Sequence, residues 1–120
     1  MRPGARVAAA IEVLAAIAKQ HRPAADALAE WGRAHRFAGS GDRSAIGHLV
    51  YDALRRRHSL AARMGSETSR ALAIAAAPEA LGLTPDQIAE AADGSPHAVP
   101  PLSDDERAGL ARDRPVDVPD

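Results

Sequence analysis

In a 120-residue chain without cysteine, chemistry has to come from histidine, hydroxyl, carboxylate or arginine side chains. Thiolate metal sites, iron-sulfur ligation, disulfides and thiol nucleophiles are all excluded. The five histidines are His21, His35, His48, His58 and His97. His48 and Asp52 stand one helical turn apart, which suits either a shared metal ion or a surface hydrogen bond. A metal site needs three or four protein ligands, and no other position supplies a related spacing, so no metal is expected. The serines fall mostly at breaks between periodic segments, where helix capping accounts for them, and no nucleophile-elbow pattern surrounds any. Gly39-Ser40-Gly41-Asp42-Arg43 is rich in glycine but lacks the spacing and the lysine of a phosphate-binding loop. No catalytic constellation is visible.

What the chain does concentrate is arginine beside aromatic rings. Arg33, His35, Arg36 and Phe37 precede the Gly-rich turn and Arg43 follows it, while Arg55, Arg56 and Arg57 close the next apolar-periodic stretch. A helix N-terminus with unpaired N–H groups and arginines close by favours a phosphate group. Arg33, Arg36, Arg43, Arg55 and Arg56 are therefore the candidate phosphate contacts. Three consecutive arginines sweep about 200 degrees around a helix axis, so at least one faces the protein body. The competing explanation is a solvated helix end whose cations complement the dipole. Trp31, Phe37 and Tyr51 are the only large rings, which assigns them to core or rim packing rather than to base stacking.

The overall charge of −1 hides an asymmetry. Residues 1–70 carry 12 basic and 6 acidic side chains, and residues 71–120 carry 3 basic and 10 acidic, so a near-neutral chain can still present a basic face. Every basic residue except Lys19 is arginine, whose planar fork suits phosphate, although a G+C-rich coding sequence gives the same bias together with abundant alanine. Alanine accounts for 29 residues of the 46% hydrophobic fraction, so the larger apolar side chains are few.

These residues must be positioned by helices. Val7, Ile11, Leu14 and Ile17 recur at helical spacing within residues 5–21. Pro23 opens a second helix carrying Leu28 and Trp31 up to Gly32. A third, with Ser40 or Asp42 as N-cap, carries Ile46, Leu49, Val50, Ala53 and Leu54. A short helix over residues 59–64 ends at Gly65, and one opened by Ser66 or Thr68 stops before Pro78. Thr84-Pro85-Asp86-Gln87 is a capping box for a helix over residues 85–92. No segment alternates with period two, so the expected fold is all-α, a bundle of about five to six helices spanning residues 1–92. Residues 93–120 contain five prolines and few large apolar side chains, too few to offset an ordering entropy of ~1–2 kcal/mol per residue. They are expected to form an extended acidic linker, with Ser103-Asp104-Asp105-Glu106 starting a short helix over residues 104–112 that interrupts the linker or docks on the body. The longest apolar runs fall well short of the roughly 20 residues a membrane helix needs, and the N-terminal pattern lacks the apolar centre of a secretory signal. A cytoplasmic location and no membrane partner are expected.

The run Trp31 to Leu60, above all Arg36-Phe37-Ala38-Gly39-Ser40-Gly41-Asp42-Arg43-Ser44-Ala45-Ile46 followed by Val50-Tyr51-Asp52-Ala53-Leu54-Arg55-Arg56-Arg57, resembles the helical N-terminal region of the RsmB/NOP (Sun/Fmu) family of ribosomal RNA cytosine-5 methyltransferases. Arg2-Pro3-Gly4-Ala5-Arg6-Val7, Pro100-Pro101-Leu102-Ser103-Asp104-Asp105-Glu106-Arg107 and Val116-Asp117-Val118-Pro119-Asp120 are also similar to it. The chain departs from the family at Gly41, where members commonly carry a basic residue. The resemblance implies a domain like the NusB antitermination factor that engages ribosomal RNA. It further implies a following Rossmann-like domain that binds S-adenosylmethionine and attacks cytosine through cysteine. Without cysteine or a Gly-rich cofactor turn, this chain is expected to hold no catalytic residue and no cofactor. Methyl transfer then belongs to a catalytic domain in cis or in trans. An alternative within the same frame is a structural domain that docks on that catalytic domain and touches RNA little.

Overall fold

Helix formation in this chain starts from local signals, most of which stand where the pattern placed them in the computed structural model, which describes residues 1–112. Pro3 occupies the first turn of α1 (Pro3–Gln20), where a missing N–H is harmless, and His21 ends it in the left-handed conformation, φ +52°. Pro23 is the residue before α2 (Ala24–Ala34). Gly39 precedes α3 (Ser40–Arg55), and the Asp42 carboxylate accepts the Gly39 N–H at 3.3 Å. After a break at Arg56, α4 (Arg57–Met64) ends at Gly65, φ +68°. Thr68 Oγ1 accepts the Ala71 N–H at 3.1 Å to open α5 (Ser69–Leu81). Reciprocal capping boxes open α6 (Pro85–Ala91), through Thr84 and Gln87, and α7 (Asp104–Ala111), through Ser103 and Glu106. The described residues thus form seven helices and no strand, one helix more than the upper bound expected from sequence.

The order of packing follows from where alanine was spent. Ala71, Ala73, Ala75, Ala76 and Ala77 of α5 are buried together with Ile74, so this helix is apolar nearly all round and sits at the centre, against α1, α3, α4, α6 and α7. Small side chains on a central helix let its neighbours approach closely. The larger residues of the core, Val7, Val13, Ile46, Leu49, Val50, Leu60 and Ile88, come from the surrounding helices and fill the space that the alanines leave. Gly4 marks the tightest approach: a Cβ there would lie 2.4 Å from the Ala91 carbonyl oxygen of α6.

Three expectations are corrected. The N-cap of α3 is Gly39 rather than Ser40 or Asp42, with Ser40 the first helical residue. The fifth helix does not stop before Pro78 but runs on to Leu81. Pro78 cannot donate to Ile74, yet its own carbonyl accepts both the Gly82 N–H and, at 2.9 Å, the Leu83 N–H, and Gly82 takes the left-handed conformation that closes the turn. The described part of the expected linker is not a free extended segment either. Val99, Leu102 and Leu110 are buried in the same core as α1 and α5, and α7 packs on α4, α5 and α6. Composition misled because each of these side chains enters a cavity already built by the other helices. They need not form a core of their own. The folded body therefore reaches Arg112; the rest of the expected linker, including the similarity at 116–120, lies outside the described residues.

Candidate functional site

The turn between α2 and α3 is built by backbone as much as by side chains. The Ala38 N–H donates to the His35 carbonyl at 3.0 Å, Ala38 is buried, and the Gly39 carbonyl receives the Arg43 N–H at 3.0 Å. Arg36 and Phe37 are thereby turned outward. Arg33 lies in the last turn of α2, and Arg43 in the first turns of α3. Gly32 brings the two helices together: a Cβ at Gly32 would come 3.3 Å from the Cδ of Arg43, so the Arg43 stem lies against the residue next to Arg33. Arg33, Arg36 and Arg43 are all exposed, and none of their side chains makes an ion pair or hydrogen bond with a described residue.

The acids around this turn are already engaged. Asp42 Oδ1 accepts from the Arg6 guanidinium at 2.9 and 3.1 Å and from the Met1 amino group at 3.0 Å. Arg6 first, and the amino terminus second, hold the Asp42 carboxyl below its usual range, so it stays ionised and compensated. Glu12 accepts the Trp31 indole N–H at 3.0 Å, and Glu30 pairs with Arg22. The three arginines are left as a local excess of positive charge.

The remaining two predicted contacts are placed elsewhere. Along α3, Arg55 lies about 18 Å from Arg43 at 1.5 Å per residue, and it pairs with Asp52 one turn back. Arg56 is 7% exposed and donates to Asp52 Oδ2 at 2.9 Å and to Glu79 of α5. That corrects its assignment: it ties α3 to α5 and is turned away from any ligand on the surface. Asp52 is itself buried, and both its oxygens are taken by arginine. It therefore neither shares a metal with His48 nor makes a surface hydrogen bond to it, and no group of three potential metal ligands occurs among the described residues. Arg57 and His58 border a different feature, a cleft of about 330 Å³ floored by Leu14, Ile17, Leu54 and Leu72.

The rings depart from the packing expectation. Trp31 is buried at 9% exposure, but Phe37 and Tyr51 are 66% and 50% exposed. His35 stacks on Trp31 with centroids 4.2 Å apart and planes at 11°, Phe37 meets His35 edge-on at 5.9 Å, and the His97 ring lies 6.3 Å from Phe37, tilted by 43°. Sequence reasoning placed Phe37 inside because so few rings were available for a core. It gave His97 no role because the surrounding prolines suggested a linker. The signal that bears on Phe37 is its position between Arg36 and Ala38-Gly39, in the turn between α2 and α3, where the chain has no helical face to bury.

No helix among the described residues is long and apolar enough to cross a membrane. No family model, curated protein or solved structure matches this chain.

Proposed function

We propose that this chain is an RNA-binding module of the type found at the N-terminus of ribosomal RNA cytosine-5 methyltransferases, a NusB-like bundle that positions RNA through arginine–phosphate contacts. In this reading it performs no methyl transfer itself, and S-adenosylmethionine belongs to a catalytic domain acting in cis or in trans. The observation that carries it is the gathering of Arg33, Arg36 and Arg43, exposed and with side chains unpaired among the described residues, around one turn whose own acid, Asp42, is neutralised by Arg6 and the amino terminus. Contacts of this kind supply affinity and orientation rather than sequence choice. The similarity of residues 31–60 to that methyltransferase family makes ribosomal RNA the expected partner.

Titration of a ribosomal RNA fragment at several salt concentrations tests the reading. Each phosphate contact contributes roughly 0.7–0.9 to the slope of log affinity against log salt, so exchanging all three arginines for alanine lowers that slope by about 2–3. Arg56→Met, by contrast, leaves the slope unchanged in the fraction that folds. Absence of affinity at low salt, or an unchanged slope in the triple variant, overturns the assignment.

A further inference from the structure

We infer that the Phe37 ring is a stacking platform for an unpaired nucleobase, so that the RNA this surface takes is single-stranded or looped rather than continuous duplex. The inference rests on the RNA-binding reading above and adds the substrate class to it. It starts from a different observation, the exposure of Phe37 in a chain with few large apolar side chains to bury.

Phe37 is exposed but not loose. Behind it His35 is fixed twice, by stacking on the buried Trp31 and by a 2.8 Å hydrogen bond from its Nδ1 to the Trp31 carbonyl. His97 also lies against Phe37, in a loop with its own framework. The Ser95 N–H donates to Asp93 Oδ1 at 2.9 Å, the Gly94 N–H to the Val99 carbonyl at 3.3 Å, and the Val99 N–H to the Gly4 carbonyl of α1 at 3.1 Å. His97 adopts φ +69°, a left-handed conformation that a histidine takes at a cost, and its ring is thereby brought alongside Phe37. Two imidazoles from distant parts of the chain thus steady a phenyl ring while 66% of the residue stays open to solvent.

What would cover such a ring is decided by its neighbours in sequence and space. Arg36 adjoins it, Arg33 and Arg43 flank the same turn, and all three lack partners among the described residues. The partner is therefore anionic and brings a flat apolar face within reach of its own charge. A nucleotide with an unpaired base has that combination, whereas a duplex turns its base faces inward and offers only phosphates and groove edges. Stacking also tolerates any base, because every base presents a π-face.

The test compares a fluorescently labelled single-stranded RNA oligonucleotide with a blunt duplex of the same sequence, using the full chain and the variants Phe37→Ala and Phe37→Trp. Because Phe37 is largely exposed, both variants fold, which circular dichroism verifies. Phe37→Ala weakens single-strand binding on the order of tenfold without changing the salt slope or duplex affinity, and Phe37→Trp retains binding. Trp31, the chain's one tryptophan, reports independently through His35: the single strand alters its emission in the wild type, and Phe37→Ala abolishes that change. Wild-type affinity for the single strand in Phe37→Ala, or equal losses on both RNAs, overturns the stacking inference while the arginine dependence leaves the RNA reading standing. No RNA binding by the wild type overturns both. Tighter binding of an acidic polypeptide of equal charge than of the single strand overturns both in favour of a protein partner.

Discussion

Arg56 shows how little residue type alone says about role. It belongs to three consecutive arginines, and each has a different environment: Arg55 lies at the surface beside Asp52, Arg56 is buried between Asp52 and Glu79, and Arg57 borders the cleft under Leu54 and Leu72. A buried ion pair gives little net stability relative to an apolar pair, but removing one partner strands the other charge. Arg56→Ala leaves the carboxylate of Asp52, 6% exposed, with only the surface arginine beside it. It should cost about 3–5 kcal/mol in urea unfolding, the expectation for breaking a buried pair from one side. Arg55→Ala, whose side chain is 72% exposed, should shift the same curve by less than about 1 kcal/mol. If the two variants unfold alike, Arg56 is not the tie between α3 and α5 that the geometry describes.

At the scale of helices, most of the architecture was legible because it is written locally. Capping boxes at Thr84 and Ser103, the N-cap at Thr68 and the left-handed Gly65 are short-range chemistry, and each stands where the pattern placed it. What was not legible depends on partners far away in sequence. Pro78 reads as a stop only if nothing donates to the carbonyls of the last turn, and the Gly82 and Leu83 N–H groups donate to the Pro78 carbonyl. Val99, Leu102 and Leu110 read as too sparse for a core only when the remaining helices are ignored. The same blindness hid the ring cluster, because Phe37 and His97 are neighbours only once the loop after α6 folds back onto α1. Helix α7 offers the direct check. It is held by Arg63, which donates to the Gly109 and Leu110 carbonyls at 3.1 and 2.7 Å, by the Arg70–Glu106 pair and by the burial of Leu110 at 3% exposure. Leu110→Ala should therefore destabilise the whole body by roughly 2–5 kcal/mol, the range for emptying a packed leucine site. A helix sitting in a free linker would give no change in the unfolding midpoint.

Over the whole molecule, two ion pairs, Arg56–Glu79 and Arg70–Glu106, join the basic half of the chain to the acidic half. Arg56, Arg63 and Arg70 of the basic half are each engaged by Glu79, the end of α7 or Glu106 of the acidic half. Arg33, Arg36 and Arg43 are the cations without side-chain partners at the α2–α3 turn, while Lys19, Arg57 and Arg107, also without side-chain partners among the described residues, lie on α1, α4 and α7. This closing of the chain on itself has a pH signature. Burial pushes the Glu106 carboxyl up, but the Arg70 guanidinium and the Ser103 N–H and hydroxyl together outweigh it and hold the group below its ordinary value. Asp42 is lowered chiefly by Arg6, and Asp93 chiefly by its hydrogen bonds with Ser95. All three bind protons less readily folded than unfolded. The unfolded chain therefore takes up more protons between the two sets of values, and stability rises with pH across that window. Their contribution is complete above the ordinary carboxylate range and is lost as pH falls through the depressed folded values. The urea midpoint should be level above about pH 5 and decline steadily below it. Glu106→Gln keeps an acceptor for Arg70 but removes the titration, so its decline should be shallower, with a lower plateau at neutral pH. Parallel curves for the two proteins would show that the Arg70–Glu106 clasp does not couple the acidic half of the chain to its folding.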